Sequence, residues 1–257
     1  MKKTGFLIII TFCLCTSLYS QDAESIVRAS RDRIETDSVY TKSKMVITAK
    51  NGSKTERVIE QYSKDGPKGD RTVIVFISPK NIAGSRFLTM NNPGSADDRW
   101  IYLPELGKIR RIAASQGSGS FMGTDFSYDD ISSTSRDPAL DVHTSLREEN
   151  FSGKACYVIQ SVPKDKSFQY SKMIQWITKD DKIICKIELY DKKNVHIKTA
   201  EMSGIKEIQG RLTTTIITMT TLKAGTSTTI TSEETKYDEP ISEGMFTTAF
   251  LETGNIR

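Results

Sequence analysis

Apolar positions along the chain follow two periods. From Asp22 to Ile34 they recur at helical spacing, with Ala23, Ile26, Val27, Ser30 and Ile34 on one face. Asp22 stands where an N-cap belongs, so the pattern predicts one helix over 22–34. Beyond it the period drops to two. Val39 to Thr48 and Lys54 to Tyr62 flank Asn51-Gly52, a strong hairpin turn. Arg71 to Ser78 (RTVIVFIS) reads as a buried strand stopped by Pro79. Arg86 to Met90, Arg99 to Leu103 and Lys108 to Ala113 follow, separated by the turn residues Asn91 to Gly94 and Pro104 to Gly107.

From Lys154 onward the chain reads as a regular meander. Its strands are Lys154 to Val162, Lys172 to Thr178, Lys182 to Tyr190, Val195 to Met202, Arg211 to Leu222 and Thr228 to Lys236. They are rich in Thr, Val and Ile. This predicts a mainly β fold: a large, curved antiparallel sheet of about ten or more strands. Such a sheet has an apolar face to cover, and the pattern offers one clear helix to do it. The sheet must therefore close on itself, or stop half-open with loops and a ligand covering the rest.

The stretch GSGSFMGTDFSYDD, Gly117 to Asp130, fits the second case. It begins like a linker, then carries Phe121, Met122, Phe126 and Tyr128. A merely flexible loop gains nothing from that apolar area in water. Gly117, Gly119 and Gly123 supply bending points, so the segment reads as a glycine-hinged lip over an apolar hollow. In Arg99 to Leu103, Trp100 and Tyr102 share one face while Ile101 and Leu103 share the other, so this strand is expected to be covered twice.

The ends of the 257-residue chain refine the picture. Lys2 and Lys3 precede a short apolar run, Phe6 to Leu14, which is too short to span a bilayer. Residues 1–20 read as an export signal cleaved near Ser20, leaving 21–257 as a single exported domain. The formal net charge is +4, and loss of Lys2 and Lys3 lowers it by two. Basic residues are scattered along the sequence, so no nucleic-acid footprint is expected. Two cysteines follow the signal, Cys156 and Cys185. They fall on strands separated by a third, roughly 10 Å apart at the usual strand spacing. A disulfide needs Cα atoms within about 7 Å, so two thiols are expected.

Catalytic chemistry is sparse. His143 and His196 lie far apart, and neither HExxH nor GxSxG occurs. Gly117, Gly119 and Gly123 miss the dinucleotide-loop spacing by one residue and have no βαβ context. Asp125, Asp129 and Asp130 lack the spacing and final Glu of a calcium loop. Asp129 and Asp130 read instead as the acidic first turn of a short helix near Ile131. No enzyme activity, cofactor or metal is expected.

Four segments carry a resemblance: NIAGSRFLTM (Asn81 to Met90), DRWIYLPELGKIRRI (Asp98 to Ile112), GSFMGTDFSYDDI (Gly119 to Ile131) and PISEGMFTTAFL (Pro240 to Leu251). In order and spacing the first three resemble the longer branch of LolA-like outer-membrane lipoprotein-sorting proteins, and the late meander and the ending are similar to that branch too. The resemblance implies a half-open β-barrel with an N-terminal helix and short helices and loops at its open side. It implies a hydrophobic cavity that receives the acyl chains of lipoproteins or lipids in the periplasm. The implied partners are an inner-membrane release complex or exporter and an outer-membrane acceptor, with the chain itself a monomer. The alternative from another class is a lipid- or lipoprotein-sensing adaptor, or an accessory subunit of an envelope lipid exporter or stress-signalling system. The candidate cavity lining is Phe87, Leu88, Met90, Trp100, Tyr102, Phe121, Met122 and Phe126, with Trp176 and Ile184. Arg110 and Arg111 point to opposite sides of their strand, where one can meet a head group or partner, or form a surface ion pair.

Overall fold

The computed structural model describes residues 15–66, 69–92, 97–132 and 136–256. Helix α1 is Cys15–Arg31. The strands are β1 Ser38–Thr48, β2 Lys54–Lys64, β3 Arg71–Ser78, β4 Arg86–Met90, β5 Asp98–Leu103, β6 Lys108–Arg111 and β7 Asp141–Phe151. They continue as β8 Lys154–Pro163, β9 Lys172–Thr178, β10 Ile184–Tyr190, β11 His196–Ile208, β12 Arg211–Thr221 and β13 Thr226–Tyr237. Short helices α2 (Tyr128–Ser132) and α3 (Thr248–Thr253) complete the set used below.

All thirteen strands join one antiparallel sheet in the order β6-β5-β4-β3-β2-β1-β13-β12-β11-β10-β9-β8-β7. The chain winds outward from β1 to one edge, crosses, and winds back from the other edge to pair β13 with β1. Strands β6 and β7 do not pair with each other, so the sheet is an open, partial barrel, as expected. Residues 112–140 connect these two free edges.

Register assigns every strand residue to one of two faces. On the inner face Met45, Ile59, Ile74, Phe76, Phe87 and Ile101 form one buried cluster. Further along, Leu189, Ala200 and Met219 form a second. Helix α1 lies on the inner face beside β7, β8 and β9, with Ala23, Ile26 and Val27 packed on Ile159 and Ile177. The outer face of β2 to β6 is covered too. There Ile241, Met245, Phe246, Phe250 and Leu251 of the C-terminal segment pack on Val73 and Leu88. Both faces of β5 are thus buried, as its alternation implied: Ile101 faces inward, and Trp100 and Tyr102 lie under the C-terminal segment.

The structure corrects three local readings. Helix α1 starts at Cys15 and ends at Arg31, so Asp22 lies inside it rather than capping it, and Ile34 lies beyond it. The apolar face Ala23, Ile26, Val27 and Ser30 is nonetheless the buried one. Strand β7 went unread because its outer residues are exposed and its inner ones include His143 and Ser145, so no apolar alternation marks it. Strand β11 runs to Ile208, past the expected stop at Met202. Gly204 permits this: it has φ +65°, and a Cβ there would come within 2.7 Å of Thr215 Oγ1. The apolar run Phe6 to Leu14 lies outside the described residues.

Cys156 and Cys185 are free and buried. Strand β9 lies between their strands; Cys156 Sγ donates to Lys154 O at 3.4 Å and Cys185 Sγ to Ile183 O at 3.8 Å. Burial pushes both thiols above their ordinary pKa.

The C-terminal segment is held by apolar contacts, by Arg86 Nη1 donating to Leu251 O at 2.8 Å, and by the pairs of Glu243 with Lys64 and Arg71. Leu251 is fully buried. Leu251→Ala is expected to cost about 2–5 kcal/mol, read as a lowered urea midpoint at unchanged slope.

Candidate functional site

The inner face is where this fold has room for a ligand, and the connection from β6 to β7 is what crosses it. Residues 117–132 form a folded strap. Ser120 and Ser127 bridge, and Phe121 N–H donates to Phe126 O at 2.8 Å. Between them Thr124 N–H donates to Phe121 O at 3.0 Å, closing a tight turn at Met122 and Gly123. Both have positive φ, +52° and +75°, the pattern of a type I′ turn. Glycine suits it; methionine is unusual there.

The turn drives Phe121 into the sheet. Its ring is fully buried, edge-on to Phe87 at 5.1 Å and to Tyr128 at 5.7 Å, with Phe76 at 5.9 Å. Phe126 is also buried, in the second inner cluster beside Tyr170, Leu189, Ala200 and Met219. Met122 stays half-buried, its carbonyl accepting from Arg57 Nη1 at 2.6 Å. Arg57 also lies over the Phe76 ring at 5.9 Å.

Three carboxylates tie the strap to separate parts of the sheet. Asp125 is buried and accepts hydrogen bonds from the hydroxyls of Thr221 (2.6 Å), Thr228 (2.7 Å) and Thr226, all on β12 and β13. Its own N–H donates to Thr228 Oγ1 at 3.0 Å. Asp129 pairs with Arg99 of β5 at 2.5 Å. Burial outweighs the pull of Arg99 and holds this carboxyl above the usual 3.8. Asp130 accepts from Tyr170 OH (2.8 Å), Gln169 Nε2 (3.1 Å) and Lys198 Nζ of β11 (3.0 Å). It also accepts from Ser127 N–H at the start of α2 (2.8 Å). Burial, with Asp130 beside it, pushes the Tyr170 phenol far up.

The sequence placed Asp129 and Asp130 at a helix start, where they do lie. It missed their ion pairs, and it weighed Asp125 only as a calcium ligand, missing its threonine partners. The glycines also act differently from hinges. Gly117 has an ordinary helical φ of −58°; it is needed because a Cβ would lie 2.1 Å from Asp129 Oδ1. At Gly119 a Cβ would come to 3.0 Å from Gln116 O. Only Gly123 uses a positive φ.

The candidate lining divides between the faces. Phe87, Phe121, Met122 and Phe126 belong to the inner face. Ile184 packs at the margin of the α1 cluster. Leu88, Met90, Trp100 and Tyr102 lie on the outer face beneath the C-terminal segment, and Trp176 on the outer face with Cys156 and Val158. One cavity cannot collect all ten, because strand neighbours point oppositely. Between α1 and the strap, β10 to β13 present Ile187, Met202, Ile217 and Ile230 inward, all half-buried. Sequence reasoning passed these over because each also reads as an ordinary strand residue. Arg110 is exposed, and Arg111 forms a surface ion pair with Asp98. A separate hollow of about 230 Å³, lined by Pro163, Asp165, Lys166, Tyr170, Ser171 and Lys192, lies at the β8–β9 turn.

His143 is buried, with Nδ1 2.8 Å from Ser161 Oγ and Nε2 2.9 Å from Pro138 O. Among the described residues no group of three or more His, Cys, Asp or Glu side chains is placed to hold a metal ion. No helix among them is long and apolar enough to cross a membrane.

An open antiparallel sheet, curled around a helix and a strap, is the architecture of the lipoprotein-sorting class. The structure superposes on a putative outer membrane lipoprotein-sorting protein domain from Vibrio parahaemolyticus with a TM-score of 0.85, at 25% identity, covering 91% of this chain and 99% of that one. A DUF1329 family protein from Desulfovibrio piger gives 0.87 at 28% identity, with the same coverage of 91% and 99%. A LolA superfamily protein from Nitrosomonas europaea shares the fold, with a TM-score of 0.71 at 20% identity over 89% of this chain and 98% of that one. The LolA-like resemblance seen in the sequence is therefore borne out. A family model described as "Uncharacterized protein" matches residues 68–253, and the chain belongs to that family. Comparison with curated proteins finds no match.

The strap geometry sets two expectations. Asp125→Ala removes the acceptor of three threonine hydroxyls and is expected to cost about 2–4 kcal/mol, read by chemical denaturation. Asp129 titrates higher folded than unfolded, so protonation stabilises the fold. That contribution is full below about 3.8 and is lost as pH rises through the raised midpoint. The stability of wild type relative to Asp129→Asn should therefore fall with rising pH in that window and be flat above it. Denaturation at a series of pH values checks this.

Proposed function

We propose that the chain is an exported carrier that holds an acyl chain of a lipoprotein or lipid on the inner face, between α1 and the strap. The observation that supports it most directly is the incomplete covering of that face. Ile187, Met202, Ile217 and Ile230 remain half-buried although the strap and α1 bury their neighbours. The fold is that of lipoprotein-sorting domains, which supports the same reading.

Affinity is easy to supply on such a surface. Each CH₂ removed from water contributes about 0.8 kcal/mol. Release is the harder requirement, and methionine side chains, which adapt to varied shapes, suit it; Met122 and Met202 both border the gap. In this reading transfer runs through the periplasm, from an inner-membrane release complex or exporter to an outer-membrane acceptor. The carrier acts as a monomer, with no metal, cofactor or catalytic step.

The test uses two adjacent residues of β12 that face opposite ways. Ile217 points inward and Thr218 outward, where it bonds Thr229. Ile217→Trp fills the gap and is expected to lower uptake of a fluorescent fatty acid at least tenfold, about 1.4 kcal/mol, while Thr218→Trp leaves uptake unchanged. Thermal midpoints show that both variants fold. Equal uptake by the two variants, or a clean apo mass for wild type purified from cells, would sink the proposal.

A further inference from the structure

The antiparallel order sends alternate turns to opposite ends of the sheet. One end carries the β1–β2, β3–β4, β5–β6, β8–β9, β10–β11 and β12–β13 turns and the start of β7. Lysines scattered along the sequence converge there. Lys50 and Lys54 flank the first of these turns and Lys80 begins the second. Lys108 closes the third. Lys164 and Lys166 lie in the β8–β9 turn, Lys192 and Lys193 in β10–β11, and Lys223 in β12–β13. All nine are exposed. The acids at this rim are Glu105, Asp125, Asp137, Asp141, Asp165 and Asp191. All but Glu105 are occupied locally: Asp125 by the threonines of β12 and β13, Asp141 by Arg136, Asp137 by the Ala139 N–H, and Asp165 and Asp191 by their own turns.

Ion pairing makes the contrast sharper. None of these nine lysines forms an ion pair among the described residues. At the opposite end Lys64 and Arg71 pair with Glu243, and Arg211 with Asp238, while Lys154, Lys182 and Lys206 at or near that end carry no ion pair among the described residues. Exposed acids such as Asp37, Asp180, Asp181 and Glu239 remain there besides.

Six of the nine large apolar side chains exposed among the described residues also lie at the lysine rim; Leu146, Leu212 and Ile256 lie elsewhere. Leu106 is 62% exposed, Val195 54% and Val142 50%, and Ile77, Leu140 and Leu222 are exposed as well. Each stands in a turn or within two residues of a strand end at this rim. Lysines without ion pairs, of which Lys164 and Lys192 donate to the carbonyls of Ala139 and Lys166, stand among exposed aliphatic tips, and this combination matches an anionic bilayer, where ammonium groups meet lipid phosphates and the tips enter the head-group layer. A water-facing rim has no use for this combination.

We propose that this rim docks the protein on an anionic lipid surface. The orientation would stand the strands upright on the membrane, with the opposite end directed away. The surface is separate from the acyl-chain site, so vesicle binding and fatty-acid uptake can fail independently.

The test is co-sedimentation of the exported chain with phosphatidylcholine vesicles containing about one third phosphatidylglycerol, against pure phosphatidylcholine. Binding is expected to the anionic vesicles only and to weaken as salt shortens the screening length. A lysine at such a surface contributes about fivefold in partitioning. The triple variant Lys192→Glu, Lys193→Glu, Lys223→Glu should therefore lose at least about tenfold. A triple reversal at or near the other end, Lys154→Glu, Lys182→Glu, Lys206→Glu, makes the same net-charge change and should retain binding. Leu106→Ser with Val195→Ser should lower the salt-resistant part of the binding. The proposal is overturned if wild type does not prefer anionic vesicles, or if the two triple variants lose binding alike.

Discussion

The buried Asp125 carboxylate, held by Thr221, Thr226 and Thr228, pins the strap to the junction of β12 and β13. Much of the inner face depends on that attachment. A partial barrel leaves two free edges, and the chain must cross from one to the other without a strand to pair with. The strap crosses by burying Phe121 and Phe126 in two different clusters, and its polar backbone and acids are satisfied by the strands it spans. Asp129 reaches β5, Asp125 reaches β12 and β13, and Asp130 reaches β11 and Tyr170. A segment secured at points this far apart behaves as part of the wall.

This changes the meaning of the aromatic lip. Its side chains rest on protein: Phe121 against Phe76 and Phe87, and Phe126 beside Tyr170 and Leu189. What remains for a ligand is the strip over β10 to β13, where the strap and α1 do not meet. Its lining is aliphatic and methionine-bearing, and only partly withdrawn from solvent. Buried ion pairs and hydrogen bonds are costly to break singly, so the strap's anchors favour a fixed wall beside an adaptable strip.

Charge is distributed with the same separation of ends. The strand order gathers exposed lysines from separate turns on one rim, while the other end carries acids and cations together, several of them paired. A net charge of +4 does not reveal that gathering.

Most strands were legible in the sequence because period two survives wherever one face is buried and the turn residues are distinctive. The half-open sheet followed from too much apolar strand and too little helix. The two-sided burial of β5 followed from apolar residues at both parities, Trp100 and Tyr102 against Ile101 and Leu103. Strand β7 was hidden because an edge strand has one unpaired side and little apolar pattern to show. Which face Leu88, Met90 and Trp176 would join was not legible, because alternation gives parity and only the assembled sheet says which parity points inward. The ties of Asp125, Asp129 and Asp130 join residues up to about a hundred positions apart, and no local pattern encodes them. The gathering of nine lysines on one rim is decided the same way. Strand order is a property of pairing across the whole chain, so the sequence by itself determined the strands and the need for a cover, while the tertiary structure decided what covers them and where the charge goes.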